Sequence, residues 1–409
     1  MNLEFLNFIA ALAIIIVAAK ASGYISTRLG QPAVLGELLA GIILGPTFLN
    51  MLGTWPVFME DEHLGEAIQM MAEIGVLLLM MLAGLELDLA EMLSSGKAAA
   101  LSGALGVIVP LILGFGTALL FGLSQYEALF MGLALSATSV SISAQTLMEL
   151  DVLRTRVGLT LLGAAVFDDI LVILLLSLAS IFAGSGGGDV NSIFITLLRI
   201  VLYLGVAIVI GLYILPRLTT WVDRLPISQG TLAFVLVATL LFAWAAEAIG
   251  GIATITGAFL VGLFLSRTPQ RNQLEVGIAS MAYGFFVPIF FVNIGLSVNL
   301  GAIAGSAWLF AIVISIVAVV SKILGSGGGA RLSGFSWLES LQMGIGMVSR
   351  GEVGLIVAAF ALTSGLLSQQ NFSIAVFMVI IATLVTPPML RYSFSRQDSA
   401  VSSQSTAGR

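Results

Sequence analysis

Two adjacent aspartates, Asp168 and Asp169, interrupt one of the most apolar stretches of the chain, LLGAAVFDDILVILLLSLAS, with no other charged residue between Arg156 and Asp189. A charge near a bilayer centre costs at least ~2.5 kcal/mol on insertion scales, so it persists there by pairing or by lining a watery path. Adjacent helical residues point about 100° apart, which sends the two carboxylates to different faces. One can pair with a neighbouring helix while the other meets a cavity, where a proton and a metal cation compete for it. The preceding apolar segment holds ALSATSVSIS, in which Ser136, Thr138, Ser139, Ser141 and Ser143 crowd a few turns. On an interrupted helix their hydroxyls and the freed carbonyls can coordinate a dehydrated alkali ion. On an intact one the same hydroxyls bond back to their own backbone.

Other charges stand in apolar surroundings. Lys322 and Arg350 share this position with Glu73 and Glu352. Arg350 and Glu352 are two apart, point away from each other on a regular helix and each need a partner elsewhere, which favours a structural core network for the pair. Glu73 and Glu37 are candidates to gate or stabilise, with little in the sequence to choose between them, and Glu73 is grouped with Arg350 and Glu352 in the core network. Arg199 lies one to two turns from a helix end and is expected to snorkel to the interface. His63, beside Glu60, Asp61 and Glu62, reads as a solvated loop residue.

The elements that must position these groups follow from composition. Of 409 residues, 59% are hydrophobic and 9% charged, against about a quarter charged in soluble proteins, so this is a membrane protein. Apolar windows fall at 5–20, 33–50, 68–87, 98–122, 127–148, 157–183, 193–216, 229–248, 252–266, 278–297, 303–325, 337–364 and 371–391. At about 20 residues per crossing, thirteen of them leave no room for a soluble catalytic domain. The Gly250-Gly251 joint before the short ninth window suggests a helical hairpin. With alternating helices and an outside N-terminus, one set of loops and the C-terminal tail carry Lys20, Arg28, Lys97, Arg154, Arg156, Arg217, Arg224, Arg267, Arg271, Arg331, Arg391, Arg396 and Arg409, and the other set none. That asymmetry places the C-terminus inside.

The first window is preceded by Glu4 and followed by Lys20 and Arg28, the reverse of a cleavable signal peptide, and is expected to be retained. Residues 392–409 turn polar and serine-rich and are expected to form a disordered cytoplasmic tail after a transmembrane domain over 1–391. Gly41 and Gly45 in GIILG are spaced for close helix packing. The second polar interruption, GIGMVSRGEVGLIVA, lies in the middle window of 11 to 13, as ALSATSVSIS does in windows 4 to 6; two such three-helix units are what an inverted repeat looks like. Zero cysteines and a single histidine exclude thiolate and multi-histidine metal sites. The basic residues form no patch, so no nucleic-acid partner is indicated.

Together, VLGELLAGIILGP, EIGVLLLMMLAGLELDL, ALSATSVSIS, FDDI, GGIATITGAFLVGLFLS, FFVPIFFVNIGLSV, SKILG and SRGEVGLIVA make the chain resemble the cation:proton antiporter superfamily, in its NapA-like sodium/proton branch. The resemblance implies an all-α polytopic membrane protein of 13 transmembrane helices, with dimerisation or panel helices and a six-helix core including about 98–183 and 303–391. It implies inverted repeats with two crossed unwound helices, a homodimer and elevator-type alternating access. By the same resemblance Asp169 looks like the sodium and proton carrier and Asp168 its neighbour in the double-acid motif. Lys322 looks like the lysine bridged to Asp168, and Thr138 and Ser139 match the first unwound stretch, whose partner surrounds Arg350. Potassium-efflux relatives often have Gln-Asp in place of Asp168-Asp169 and carry a nucleotide-binding domain; this chain has neither. Asn293 and Asn299 carry no charge, which leaves Lys322 as the lysine available to Asp168.

The expectation is therefore a sodium (or lithium)/proton antiporter, not an enzyme, working without a cofactor in the cell inner membrane or an internal energised membrane. The alternative is a potassium/proton antiporter using the same site. An intramembrane aspartyl protease needs aspartates from separate helices, whereas these diverge from one. A passive channel would lack obligatory proton coupling.

Overall fold

The computed structural model describes residues 3–407 except 30, 60, 62, 87–95, 183–189, 298–300 and 302–304. Every regular element among these residues is helical. Ten helices are long and apolar enough to cross a membrane, and three apolar helices, Ala33–Leu44, Thr254–Leu265 and Val353–Leu362, are shorter. The short ones fall in the second, ninth and twelfth windows. Twelve helical residues rise only about 18 Å against a hydrocarbon core of about 30 Å.

The chain divides into two compact units. Unit 1 comprises Met1–Ser22, Gly36–Ser94 and Ile173–Gly301; unit 2 comprises Gly23–Leu35, Ser95–Val172 and Ala302–Arg409. In chain order the helices are α1 (Leu3–Arg28), α2 (Ala33–Leu44), α3 (Met51–Thr54), α4 (Leu64–Glu86), α5 (Gly96–Leu120), α6 (Gln125–Ser136), α7 (Val140–Glu149), α8 (Arg156–Phe182) and α9 (Val190–Val209). There follow α10 (Leu215–Asp223), α11 (Gly230–Ala245), α12 (Thr254–Leu265), α13 (Arg271–Met281), α14 (Val287–Leu296), α15 (Trp308–Leu332), α16 (Trp337–Gly346), α17 (Glu352–Thr363) and α18 (Gln369–Ala407).

In unit 1, Gly41 lets α2 lie against α14: a Cβ there would sit 2.1 Å from the Val292 carbonyl oxygen. The chain turns at Gly250-Gly251 into α12 after a π-helical turn, Ala246–Gly250. Arg199 is exposed and finds partners within unit 1. Its Nε donates to the Ile249 carbonyl and a terminal nitrogen to that of Ala248, both at 2.7 Å. These are carbonyls left over where the helix ends, and a guanidinium fork suits them. His63 is exposed beside Glu66, whereas Glu60 and Glu62 lie outside the described residues.

In unit 2, α5 and α15 are packed back to back. The eleventh window ends at 325, at the start of GSGGGA (325–330), whereas α15 continues to Leu332. The glycines are its packing face, because a Cβ at Gly325 would meet the Leu105 oxygen at 2.4 Å and one at Gly329 the Leu101 oxygen at 2.6 Å. The extension puts Lys322 in the interior of its helix. The last helix likewise runs through the polar tail to Ala407. Past Pro388 that tail has neither proline nor glycine before the helix ends, and propagating an existing helix costs far less than nucleating one.

Candidate functional site

Unit 2 contains two helices broken at their centres. The first is α6 and α7, separated by extended backbone at Ala137 and Ser139. The second is α16 and α17, separated by residues 347–351. Each opens with the same device: Ser124 caps α6 with Glu127 reaching back, and Ser336 caps α16 with Glu339 reaching back. The shared Ser-x-x-Glu box at the start of both broken helices is a sequence signal that the reading above passed over.

The two breaks meet. The Ser139 N–H donates to the Ser349 carbonyl at 2.9 Å, and the Ser349 hydroxyl donates to the Ser139 carbonyl at 2.5 Å. Ser143 adds bonds to the Gly346 carbonyl and the Ser349 hydroxyl. Backbone groups freed by one break are thus satisfied by the other, the condition for non-helical backbone at membrane depth. Sequence reasoning named Ser143 only as part of a hydroxyl-rich run and did not name Ser349; pairing between segments some two hundred residues apart leaves no local trace.

Arg350 is fully buried and holds the second break closed. Its guanidinium donates to the carbonyls of Met347 and Val348, and to that of Ala318 on α15 at 3.1 Å. The carbonyl of Arg350 in turn accepts from the Thr383 hydroxyl on α18. A cation at the C-terminal end of a half-helix also complements its dipole.

Asp168 lies on α8 with 0% exposure, and Lys322 on α15 with 0%. Lys322 Nζ stands 3.2 Å from one carboxylate oxygen and 3.3 Å from the other. The lysine is committed to the interior and does not reach the interface. The Thr138 hydroxyl, at the first break, lies beside the Asp168 carboxyl without closing a hydrogen bond to it. Asp169, one residue on, keeps 6% exposure and feels the Lys322 charge. Chemically, this is one carboxylate neutralised by an ammonium, a second turned to another face of the same helix, and an uncommitted hydroxyl at a helix break.

Not every residue singled out from the sequence belongs to this cluster. Glu73 lies in unit 1, exposed, accepting from Gln69 one turn earlier on α4. Its grouping with Arg350 and Glu352 rested on shared apolar surroundings, which do not specify a partner. Glu352 begins α17, and its side chain lies outside the described residues. Glu37 is buried in unit 1 and takes Lys20 at 3.4 Å.

Residues 11–393 match the family model described as sodium/hydrogen exchanger, transmembrane. The chain is 41% identical over 396 residues to the Na+/H+-K+ antiporter GerN of Bacillus cereus, covering 97% of this chain and 98% of that protein. It is 34% identical over 388 residues to a Na+/H+ antiporter of Enterococcus hirae, covering 95% and 98%. The solved structure of the sodium proton antiporter MjNhaP1 from Methanocaldococcus jannaschii at pH 8 shares the fold, with a TM-score of 0.70 at 18% identity over 95% of this chain and 97% of that one.

Proposed function

The chain belongs to the sodium/hydrogen exchanger family, and on that premise we propose that it is a secondary active antiporter exchanging cytoplasmic sodium or lithium for external protons at Asp169. It is an integral, multi-pass membrane protein. The observation that carries the reading is the fully buried Asp168–Lys322 bridge beside the joined helix breaks. It neutralises one acid and leaves the site's ion chemistry to the other.

In the inward-facing state a cation displaces the proton from Asp169 and is held by its carboxylate, with the Thr138 hydroxyl and the carbonyls around Ser139 as further oxygen ligands. Facing outward, at lower pH, the carboxylate takes a proton and releases the cation. Hard oxygen donors suit an alkali ion, and Arg350, with its two terminal nitrogens on carbonyls, holds the breaks together without competing for the cargo. Elevator movement of unit 2 carries the site across the bilayer. Thirteen crossings, an outside N-terminus and a homodimer complete the architecture, the orientation following from the basic loops. If Lys322 releases a proton when the Asp168 bridge opens, two protons move per sodium, and the cycle responds to voltage by about 2.3 kcal/mol per 100 mV.

A second reading, potassium/proton exchange by the same site, is favoured by the relative named for both ions. Proton flux in proteoliposomes under an imposed pH gradient, with sodium, lithium and potassium added in turn, separates the two. One cation should dissipate the gradient in the wild type and none in Asp169→Asn. An Asp169→Asn variant as active as wild type would reject this site.

A further inference from the structure

Four buried hydroxyls of unit 2 outside the ion site have no hydrogen-bond partner among the described residues: Ser102 on α5, Thr160 on α8, Ser326 on α15 and Ser340 on α16. Elsewhere in the same unit Ser315, Thr386 and Ser393 bond back to carbonyls of their own helices. An unpaired buried hydroxyl costs about 1–3 kcal/mol, and the usual remedy is an internal water with several polar partners. Four of them stand on helices of one unit, each a polar group that an internal water could satisfy.

Their positions form a sequence. Gly106 on α5 faces both ends of the first step: a Cβ there would fall 2.2 Å from the Ser326 hydroxyl and 3.6 Å from Lys322 Nζ, and these two distances together bound the separation of hydroxyl and ammonium. Ser102 lies one turn before Gly106 on the same face, its Cα against Gly329 of α15. Thr160 lies one turn before Ala164, whose carbonyl faces Gly103 of α5. Ser340 adjoins Gly327 through its carbonyl. Each of the first three also lies about one turn inward from a basic residue near its helix end: Ser102 from Lys97, Thr160 from Arg156 and Ser326 from Arg331. By the topology argued above, those ends are cytoplasmic.

We propose that Ser326, Ser102 and Thr160 line a hydrated proton route joining the Lys322 ammonium to the cytoplasmic end of unit 2, an inference that rests on the antiport reading. When the Asp168 bridge opens, an N–H bond of Lys322 breaks and the amine keeps the electron pair. The proton bonds to the oxygen of an adjoining water, which passes one of its own to the next, until one leaves to the cytoplasm. Nothing is oxidised or reduced.

The test uses the full-length protein in proteoliposomes, comparing wild type with Ser102→Ala/Thr160→Val/Ser326→Ala. Absence of cation-driven proton flux in the wild type would overturn the antiport reading itself. Given wild-type flux, the triple variant is expected to keep its midpoint for stabilisation by sodium in thermal melts while its maximal rate falls about tenfold and its slowing in D2O increases. Restoring one hydroxyl in that background, as Thr160→Ser, should recover part of the rate. Ser326→Ala alone, for which folding is least at risk, should slow transport about threefold at unchanged sodium affinity. Hydroxyls that are merely dry give the opposite pattern: a higher melting temperature with unchanged rate overturns the route. So does a parallel loss of sodium affinity, which would make these residues part of the ion site.

Discussion

In unit 1 the buried hydroxyls of Thr219, Thr239, Ser266 and Thr268 each donate to a carbonyl three or four residues back. In unit 2 those of Ser102, Thr138, Thr160, Ser326 and Ser340 have no such partner among the described residues. Charges divide the same way. Unit 1 keeps Arg199 exposed on the end of a helix, and Lys20, half exposed, against Glu37. Unit 2 buries Asp168, Lys322 and Arg350 completely. Both units are helical and apolar in sequence, so the difference lies in what the interior must do. Among the described residues, unit 1 returns these four hydroxyls to carbonyls of its own chain three or four residues back. On the proposed reading unit 2 handles the ions, and its buried ion pair and unpartnered hydroxyls carry a cost in stability that such a role would justify.

Breaking the comparison at its strongest point means removing one partner of the buried pair. Lys322→Ala leaves Asp168 uncompensated and should cost about 3–5 kcal/mol, read as a large drop in melting temperature, together with loss of coupled flux. Lys322→Met with Asp168→Asn should recover most of the stability but not the flux. Next in size is Gly325→Ala, whose new Cβ would meet the Leu105 carbonyl at 2.4 Å. Backbone stands on both sides, so neither can yield, and overpacking of about 1–3 kcal/mol should appear in thermal melts. Arg199→Ala removes two bonds to carbonyls at an exposed helix end; a loss of about 1 kcal/mol with sodium affinity unchanged is expected, and altered affinity would break the assignment of Arg199 to scaffold. Smallest is Thr239→Val in unit 1, with a change of about 0.6 kcal/mol or less and wild-type flux, since its hydroxyl serves only its own helix and the Met81 sulfur.

Some of this was readable from the residues alone. Apolar windows located the helices because crossing a bilayer forces about 20 apolar residues into a row, a local demand that leaves a local record. Asp168, Asp169 and Lys322 stood out because a charge in such a row is expensive wherever it ends up. Reading failed where one residue type serves two purposes. The eleventh window stopped at 325, and the glycines beyond it are the packing face of a helix that continues. Arg199, read only as a snorkelling cation, also caps another helix, and Glu73, grouped with the core network, belongs to unit 1.

The sequence by itself determined the membrane class, the positions of most helices, the two polar interruptions and the residues too costly to be accidental. Only the tertiary structure decided which of them meet: that Lys322 reaches both oxygens of Asp168, that Ser139 and Ser349 close each other's backbone, and that Arg350 spends its guanidinium on carbonyls. The reason is that burial cost depends on a residue's own chemistry and is written where it stands. Pairing depends on distances between segments far apart in the chain, which no local pattern records.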